Sequence, residues 1–437
     1  MKKIKYNPRI VKKVTLLSIL GLLVIWFGVT VVMSFIPTHT TTDSRLLQTS
    51  IPAGEYRDYL LTKVNMDPAQ YKEYDEKGNY SDDYRAFQEK LKGAQTHLDT
   101  PILLPYSDAI ESDENNFTKD YEIVTNEGET VKGYKTGDYG SLTWEFEIPE
   151  GKAGFYYFKI KYLVPSAGRN GGSNAERSFL INGEELFDSL ASVSFTRYYR
   201  DDKDARDAYE KTQELKKDLV GNNLKPRQEE IENVLVNSFI QDASGYIENP
   251  YLIYLNEGEN TITMESIREN LVVFGLSIHS TDDSDAQVAT YEEYREQYND
   301  SQITSGVSVA VEAEDSLKRS SSSPTLYPIS DRNSSKNFPN DPVQQKYNAI
   351  GGSKWSTAGD WLAWTIDVPE AGLYNITFRA KQDQSRGLFT TRKLYVNGEL
   401  PFKEASNCRF YYNSVYDMIT FGYTDDNGDD QPYYVYL

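Results

Sequence analysis

Three of the five tryptophans lie close together in the sequence, at Trp355, Trp361 and Trp364, and Asp360 directly precedes Trp361. An exposed indole can stack on the apolar face of a pyranose while a neighbouring carboxylate bonds its hydroxyl groups. We therefore predict that Trp355, Trp361 and Asp360 form a carbohydrate-binding site. Two alternatives stay open: the rings pack beneath the loop "SSSSPTLYPISDRNSSKNFPNDP", and Asp360 only caps a turn.

A second candidate site lies in the stretch "VEAEDS". Glu312 and Glu314 alternate with Val311 and Ala313, so both carboxylates leave the same face of a strand. Two convergent carboxylates are the beginning of a site for a hard cation, and we predict a structural calcium ion there.

Other kinds of site find little support in the composition. The histidines, at positions 39, 97 and 279, belong to no catalytic motif, and a single cysteine, Cys408, excludes an internal disulfide. The net charge of −20 argues against binding to nucleic acid, because an acidic surface repels phosphate. A carboxylate pair for glycoside cleavage is not marked out by any motif, so we predict that the chain is not an enzyme.

An internal repeat organises the chain. The stretch "GSLTWEFEIPEGKAGFYYFKIKY", from Gly140, resembles "DWLAWTIDVPEAGLYNITFRA", from Asp360. Later stretches also match: "RSFLINGEELF" with "RKLYVNGELPF", and "NPYLIYL", which ends at Leu255, with "QPYYVYL", which ends at Leu437. The first copy continues with "NEGENTITMESIRENLVVFGLSI", for which the second copy has no match, so we predict a truncated second copy in a fragment of a longer protein.

The repeat predicts a β-sandwich. In "LTWEFEI" and "LAWTIDV" every second residue is apolar, which is typical of a strand with one buried face. Trp144 and Trp364 should both lie in a core, and Trp361 should point the opposite way. Asn-Gly at 182–183 and at 397–398 predicts a tight hairpin turn in each copy.

The remaining segments complete the predicted organisation. Apolar spacing in 205–219 and from Pro226 to Phe239 predicts a helical hairpin inserted at 201–240. The predicted parts are a cytoplasmic basic tail (1–13), a transmembrane anchor (14–36), a helical stalk (37–100), a first sandwich with that insert (101–281), a linker (282–306) and a second, incomplete sandwich (307–437).

The anchor is predicted from the uncharged stretch between Val14 and Ile36, which is long enough to cross a bilayer as a helix. Six positive charges precede it, which favours a cytoplasmic N-terminus. A cleaved signal peptide is the alternative, but the stretch is longer than usual for one and no small-residue cleavage site follows. We expect a single-pass protein of the cell membrane with residues 37–437 outside.

The motifs "VEAED", "GGSKW", "GDWLAWTIDVPEAGLYNITFRA" and "LYVNGE" resemble the carbohydrate-binding modules of families 6 and 35. The resemblance implies a galactose-binding-like jelly roll, and hence an all-β chain with two such sandwiches in tandem. It also implies calcium ligands at Glu312 and Glu314 and sugar stacking on Trp355. The final strands, where the family places further ligands, have no match in the second copy.

The whole layout is similar to the N-terminal half of membrane-anchored extracellular solute-binding proteins of bacterial ABC importers. That resemblance implies glycan binding and contact with a transporter permease. Two alternatives stay open: accessory modules of a surface polysaccharide-degrading enzyme whose catalytic domain lies outside this sequence, and spacers that bind nothing.

Overall fold

The computed structural model describes residues 51–112, 116–166, 172–212, 215–219, 224–247, 249–282, 288–299, 301–313, 318–320, 326–330, 346–425 and 429–437. Within these ranges, no helix has both the length and the apolar character needed to cross a bilayer. The predicted basic tail and the predicted anchor, Val14 to Ile36, lie outside the described residues.

The described residues are mostly β-strand with few helices. The helices are α1 (Ile51–Lys63), α2 (Asp82–Gly93), α3 (Lys203–Thr212) and α4 (Tyr291–Gln297). The strands up to His279 are β1 (Ile102–Pro105), β2 (Ile110–Glu111), β3 (Thr118–Val124), β4 (Thr130–Thr136), β5 (Ser141–Ile148), β6 (Gly154–Leu163), β7 (Ala175–Ile181), β8 (Val193–Phe195), β9 (Tyr198–Asp201), β10 (Gln228–Ile231), β11 (Leu235–Phe239), β12 (Ile253–Leu255), β13 (Gly258–Arg268) and β14 (Leu271–His279).

The later strands are shorter. They are β15 (Lys318–Arg319), β16 (Leu326–Ser330), β17 (Lys346–Ile350), β18 (Leu362–Ala363), β19 (Leu373–Asn375), β20 (Thr377–Ala380), β21 (Phe389–Arg392), β22 (Cys408–Tyr411), β23 (Asp417–Thr420), β24 (Gly422–Thr424), β25 (Asp430–Pro432) and β26 (Tyr434–Tyr436).

Two antiparallel sheets form the first sandwich, which we define as β1–β8 with β11–β14. One sheet has the order β11-β6-β14-β4-β3, with β1 beside β14 and β12 beside β6, and the other has the order β2-β5-β13-β7-β8. Residues of both sheets contribute to one hydrophobic core. The predicted alternation in β5 is confirmed, since Leu142, Trp144, Phe146 and Ile148 are all buried.

The predicted Asn-Gly turns are also confirmed. Asn182 and Asn397 both take the left-handed backbone conformation, with φ of 54° and 53°, and each is followed by a glycine with positive φ. This is the geometry that a two-residue hairpin turn requires and that Asn-Gly adopts at low cost.

The helical hairpin predicted at 201–240 is wrong in its second half. Helix α3 ends at Thr212, and the stretch after Pro226 forms β10 and β11 instead of a helix. Strand β11 pairs with β6 over five residues, and β10 pairs with β9. Asn233, with φ of 57°, makes the turn between them. Pairing with an existing sheet edge outweighs the local helical spacing of the apolar residues.

Part of the predicted stalk packs into the core of the first sandwich. Tyr56 and Tyr59, one turn apart on α1, are buried against Phe187 with ring centroids 4.8 and 5.1 Å away. The Tyr56 hydroxyl accepts the Leu252 backbone N–H (2.8 Å), and the Tyr59 hydroxyl accepts that of Tyr254 (2.7 Å). Helix α1 therefore accepts backbone donors in and just before β12 and packs directly on the first sandwich.

The predicted linker also contains a helix whose tyrosine hydroxyls accept backbone N–H groups of a strand. Tyr291 and Tyr294 on α4 lie 4.9 and 5.3 Å from Phe402, the match of Phe187. Their hydroxyls accept the backbone N–H groups of Tyr434 and Tyr436 on β26, at 3.1 and 2.9 Å. Helix α4 is thus part of the fold of residues 288–437, which we call the second segment.

Strand pairings in the second segment follow those of the first sandwich. Strand β26 pairs with β19 as β12 pairs with β6, β23 pairs with β20 as β11 pairs with β6, and β22 pairs with β21 as β8 pairs with β7. Gly372 exchanges two backbone hydrogen bonds of 3.0 Å with Leu437, and Gly154 lies opposite Leu255. These shared registers extend the sequence repeat to backbone geometry.

Burial of the stretch 362–368 differs from the prediction. Strand β18 covers only Leu362–Ala363, Trp364 is half-buried, and Ile366 is 48% exposed although Phe146, its match, is 9% exposed. In the first sandwich β13 pairs with β5 along the residues that match 362–368. Among the described residues no strand takes the place of β13 in the second segment, so the apolar face of 362–368 stays partly open.

We expect the fold to lose stability at alkaline pH because of its buried tyrosines. Burial raises the pKa of Tyr56 and Tyr59 above their ordinary value, and it raises the pKa of Tyr251 to about 12. The folded state therefore needs the neutral hydroxyl, whereas the unfolded chain ionises near pH 10. The stability should be complete below pH 10 and should fall above it, by up to ~1.4 kcal/mol per pH unit for each such group.

The measurement is urea unfolding of the full chain between pH 8 and pH 11. The double variant Tyr56→Phe/Tyr59→Phe lacks two of these hydroxyls, so its free energy of unfolding should fall less steeply above pH 10. Equal slopes for the two proteins would contradict the assignment.

Candidate functional site

The predicted sugar-binding residues lie in the loop between β17 and β18. Two glycines with positive φ, Gly351 (117°) and Gly352 (57°), turn the chain into a short 3₁₀ turn at Gly352–Lys354. Trp355 follows, and its indole N–H donates to the backbone carbonyl of Asp360 at 2.9 Å. This bond closes the loop from 355 to 360 and sets the position of the Trp355 ring.

Arg392 holds the Trp355 ring from one side. Its guanidinium carbon lies 4.4 Å from the ring centroid, within the range of a cation–π contact. The same guanidinium donates to the Thr391 carbonyl (2.7 Å), to the Thr390 hydroxyl (2.9 Å) and to the Trp355 carbonyl (3.5 Å). Burial lowers the pKa of Arg392 from its ordinary value. Trp355 itself is half-buried.

Asp360 and Trp361 are fixed by Ser320. The Ser320 hydroxyl donates to the Asp360 carboxylate (2.9 Å) and accepts the Trp361 backbone N–H (2.9 Å), and the Ser320 N–H donates to the Trp361 carbonyl (3.1 Å). A carboxylate can accept about four hydrogen bonds, and the Ser320 hydroxyl takes one of them.

The scaffold of this site also occurs in the first sandwich. There the Ser112 N–H donates to the Ser141 carbonyl (3.0 Å), and the Ser141 N–H donates to the Ser112 hydroxyl (2.8 Å). The same backbone frame thus carries Ser141 in one place and Trp361 in the other. The side chains that could bind a ligand are therefore specific to the second segment.

Trp361 has a packing role that the sequence did not indicate. The ring is half-buried and lies 5.3 Å from the ring of Tyr198, on β9. Strand β9 pairs with β15, and the Arg319 guanidinium on β15 donates to the Asp201 carboxylate (2.9 Å). Trp361 is therefore not a free exposed ring. Its contact belongs to the sheet β10-β9-β15-β18, which joins the predicted insert to the second segment.

The matched arginines show how the two environments differ. Arg177 is fully buried and donates to the carbonyls of Glu176, Arg268 and Glu269 and to the Thr136 hydroxyl, at 2.7–2.9 Å. Arg392 repeats the bond to the preceding carbonyl, and its remaining contacts are with the Thr390 hydroxyl and with Trp355. The match of Arg392 with Arg177 was visible in the sequence, but its contact with Trp355 was not.

The predicted calcium ligands are not brought into a site by the described residues. Glu312 is exposed, Glu314 lies outside the described residues, and the neighbouring Ala313 carbonyl accepts the Trp364 indole N–H at 3.1 Å. Within the described ranges there is no group of three or more His, Cys, Asp or Glu side chains that could hold a metal ion. Calcium binding by Glu312 and Glu314 stays a prediction.

A cleft formed by residues 72–85 contains none of the residues predicted to bind sugar or calcium. Its volume is about 660 Å³, and its lining includes Lys72, Asp75 and Arg85 together with Tyr74 and Tyr80. The two tyrosine rings are stacked 5.2 Å apart and each is about half exposed, at 52% and 50%. These residues lie in the predicted stalk, where the sequence indicates no binding site.

Comparison with known proteins gives likenesses among solved structures only. No family model matches the chain, and no curated protein matches it. The chain is similar to a family 35 carbohydrate-binding module from Clostridium thermocellum, with 16% identity and a TM-score of 0.25 over 42% of this chain and 99% of that one.

Two further solved structures are similar to the chain at equally low identity and TM-score. One is the family 35 module from Paenibacillus barcinonensis, with 11% identity and a TM-score of 0.23 over 42% of this chain and 99% of that one. The other is an exo-β-1,3-galactanase from Phanerochaete chrysosporium, with 13% identity and a TM-score of 0.23 over 42% of this chain and 30% of that one. Scores of this size carry no argument about ligand or activity, which have to come from this chain's own residues.

Proposed function

We propose that the second segment binds carbohydrate at Trp355. The observation that carries the proposal is the way the Trp355 ring is held, by its own bond to the Asp360 carbonyl and by Arg392 across the ring. A half-buried indole fixed on one side is suited to receive the apolar face of a sugar ring on the other. Holding the ring in advance also reduces the entropy lost on binding.

Polar groups around the ring give the site its preference for a hydroxylated ligand. The Asp360 carboxylate can accept hydrogen bonds from sugar hydroxyls, and the Arg392 guanidinium can donate to them. Trp361, which follows Asp360 and packs on Tyr198, is the third residue of the proposed site.

The proposal extends to the location of the protein and to the system in which it works. The chain is a non-catalytic, membrane-anchored extracellular protein, with its anchor at residues 14–36 and a second sandwich in tandem with the first. It serves as the N-terminal part of a solute-binding component of an ABC importer, in contact with the permease. These assignments are supported by the sequence resemblance and by the apolar stretch, which the described residues do not include.

The test is a glycan array probed with the full chain and with Trp355→Ala. We expect Trp355→Ala to weaken binding of the recognised glycan at least tenfold, because stacking on the ring is lost. Tyr139→Ala is the matched control, since it removes a ring that is 56% exposed in the first sandwich and should leave binding unchanged. If the wild type binds no glycan, or the two variants bind equally well, the proposal is wrong.

A further inference from the structure

A loop of the first sandwich lies directly against the carbohydrate site proposed above. The loop consists of residues 241–247, between β11 and β12. Gly359, in the turn that the Trp355 indole closes, approaches the loop so closely that a Cβ at position 359 would overlap the Ala243 carbonyl oxygen. Gly359 also has φ of 85°, which glycine adopts at low cost. The contact between loop and site therefore depends on the absence of a side chain at position 359.

The same loop touches a second part of the site. Cε of Lys393 lies 3.5 Å from the point where a Cβ of Gly245 would stand, which is an ordinary van der Waals distance. Lys393 directly follows Arg392, whose guanidinium lies across the Trp355 ring. The loop thus lies beside both of the parts of the second segment that hold this ring.

The junction between the two segments keeps the loop in this place. Strand β9 pairs with β15, and the Arg319 guanidinium on β15, in a side chain that is almost fully buried, donates to the Asp201 carboxylate at 2.9 Å. The ring of Trp361 lies 5.3 Å from the ring of Tyr198. These contacts do not involve a ligand, so the loop stands beside the site before any sugar is bound.

Asp242 fixes the shape of the loop. Its carboxylate accepts the backbone N–H groups of Ser244 (2.8 Å), Tyr246 (2.7 Å) and Ile247 (3.1 Å), and its carbonyl accepts that of Gly245 (3.1 Å). An aspartate that bonds the backbone just after itself in this way sets the turn locally. A loop held in advance loses less entropy when a ligand binds to it.

Tyr246 presents an exposed aromatic side chain on this loop. The residue is 58% exposed and directly follows Gly245, the point of contact with Lys393. A tyrosine offers both an apolar ring face and a hydroxyl group, and a sugar can use both. Arg392 covers one face of the Trp355 ring, so Trp355 offers a sugar a single face. A second ring on the neighbouring loop is the group best suited to hold the rest of the ligand.

We propose that the carbohydrate site is shared between the two segments, and that Tyr246 of the first sandwich contacts the same glycan as Trp355. This inference rests on the proposed function, and it adds a sugar-contacting residue from outside the second segment. The loop 241–247 is then a wall of the site, and Gly359 is small because that wall stands against it.

The experiment measures the affinity of the full chain for soluble tri- and tetrasaccharides of glucose, galactose, mannose and xylose. For the tightest of these, Tyr246→Ala should weaken binding at least fivefold, and Tyr246→Phe, which keeps the ring, should stay within twofold of the wild type. Tyr139→Ala is the control, because its ring is 56% exposed and lies outside the loop. Urea unfolding of Tyr246→Ala should match that of the wild type, since an exposed ring contributes little to folding.

A pair of glycine variants tests the contact between the loop and the site. Gly359→Ala and Gly387→Ala both place a methyl group on a residue with positive φ, 85° and 79°. The methyl group at 387 would meet no other atom of the described residues within 4 Å, whereas the one at 359 would press on Ala243. Backbone strain is therefore similar in both, and Gly359→Ala should weaken binding at least tenfold more than Gly387→Ala.

The outcomes separate this inference from the proposed function. If the wild type binds none of the oligosaccharides, both are wrong. If Trp355→Ala loses binding while Tyr246→Ala binds as tightly as the wild type, the site at Trp355 stands and the role of Tyr246 is wrong. Equal losses in Tyr246→Ala and Tyr246→Phe, or equal binding by the two glycine variants, would also overturn the inference.

Discussion

Replacing Arg177 by methionine is expected to lower the free energy of unfolding of the first sandwich by about 3 kcal/mol or more. The side chain is 0% exposed, and it donates to four backbone carbonyls and to the Thr136 hydroxyl. Methionine has a similar length but no donor, so these oxygen atoms lose their bonds while they remain buried. Burial lowers the pKa of the Arg177 guanidinium to about 10, so the variant also regains part of a desolvation cost.

Arg392→Met is the matched control, because Arg392 occupies the same position of the repeat but is only half-buried. Its loss should cost about 1 kcal/mol, through the cation–π contact with Trp355 and the bonds to nearby oxygen atoms. Urea unfolding followed by hydrogen exchange in β7 and β21 separates the two effects. Equal losses in the two variants would show that burial does not set the energy of these arginines.

Replacing Phe402 by alanine is expected to destabilise the second segment by about 3–5 kcal/mol, the usual cost of removing a buried aromatic side chain. Phe402 is 0% exposed, and its ring lies 4.9 Å from Tyr291, 5.3 Å from Tyr294 and 5.0 Å from Tyr433. These contacts hold α4 over β26, so the helix should come away when the ring is removed.

Hydrogen exchange measures this directly. The backbone amides of Tyr434 and Tyr436, which donate to the tyrosine hydroxyls of α4, should exchange much faster in Phe402→Ala than in the wild type. Phe389→Ala, at a ring that is 45% exposed, is the control and should leave these amides protected. Unchanged protection in Phe402→Ala would show that the Phe402 ring does not hold α4 on β26.

Much of the sandwich could be predicted because its signals are local. The alternation in β5 specifies which face is buried, and Asn182-Gly183 specifies a turn that few other dipeptides make cheaply. The match of Trp144 with Trp364 also located equivalent strands. The match does not predict how deeply the strands of Trp144 and Trp364 are buried, because burial depends on which other parts of the chain pack around each strand.

The errors arose where tertiary pairing competes with local spacing. The residues after Pro226 have the apolar spacing of a helix, yet the edge of β6 was available and β11 paired with it. The sequence predicted helices in the segments of α1 and α4, but it did not predict what their tyrosines contact. Only the folded chain shows that these hydroxyls satisfy the backbone of β12 and β26.

The sequence by itself determined the repeat, the turns, the buried face of the first sandwich and the grouping of Trp355, Asp360 and Trp361. These features depend on the periodicity of side chains along the chain and on turn geometry, which act over a few residues. The tertiary structure alone decided that Arg392 lies across Trp355, that Trp361 packs on Tyr198 and that Leu362, Ile366 and Phe378 are less buried than their matches in the first sandwich. Those outcomes depend on contacts between residues far apart in sequence, and such contacts are set by which strand edges find a neighbour.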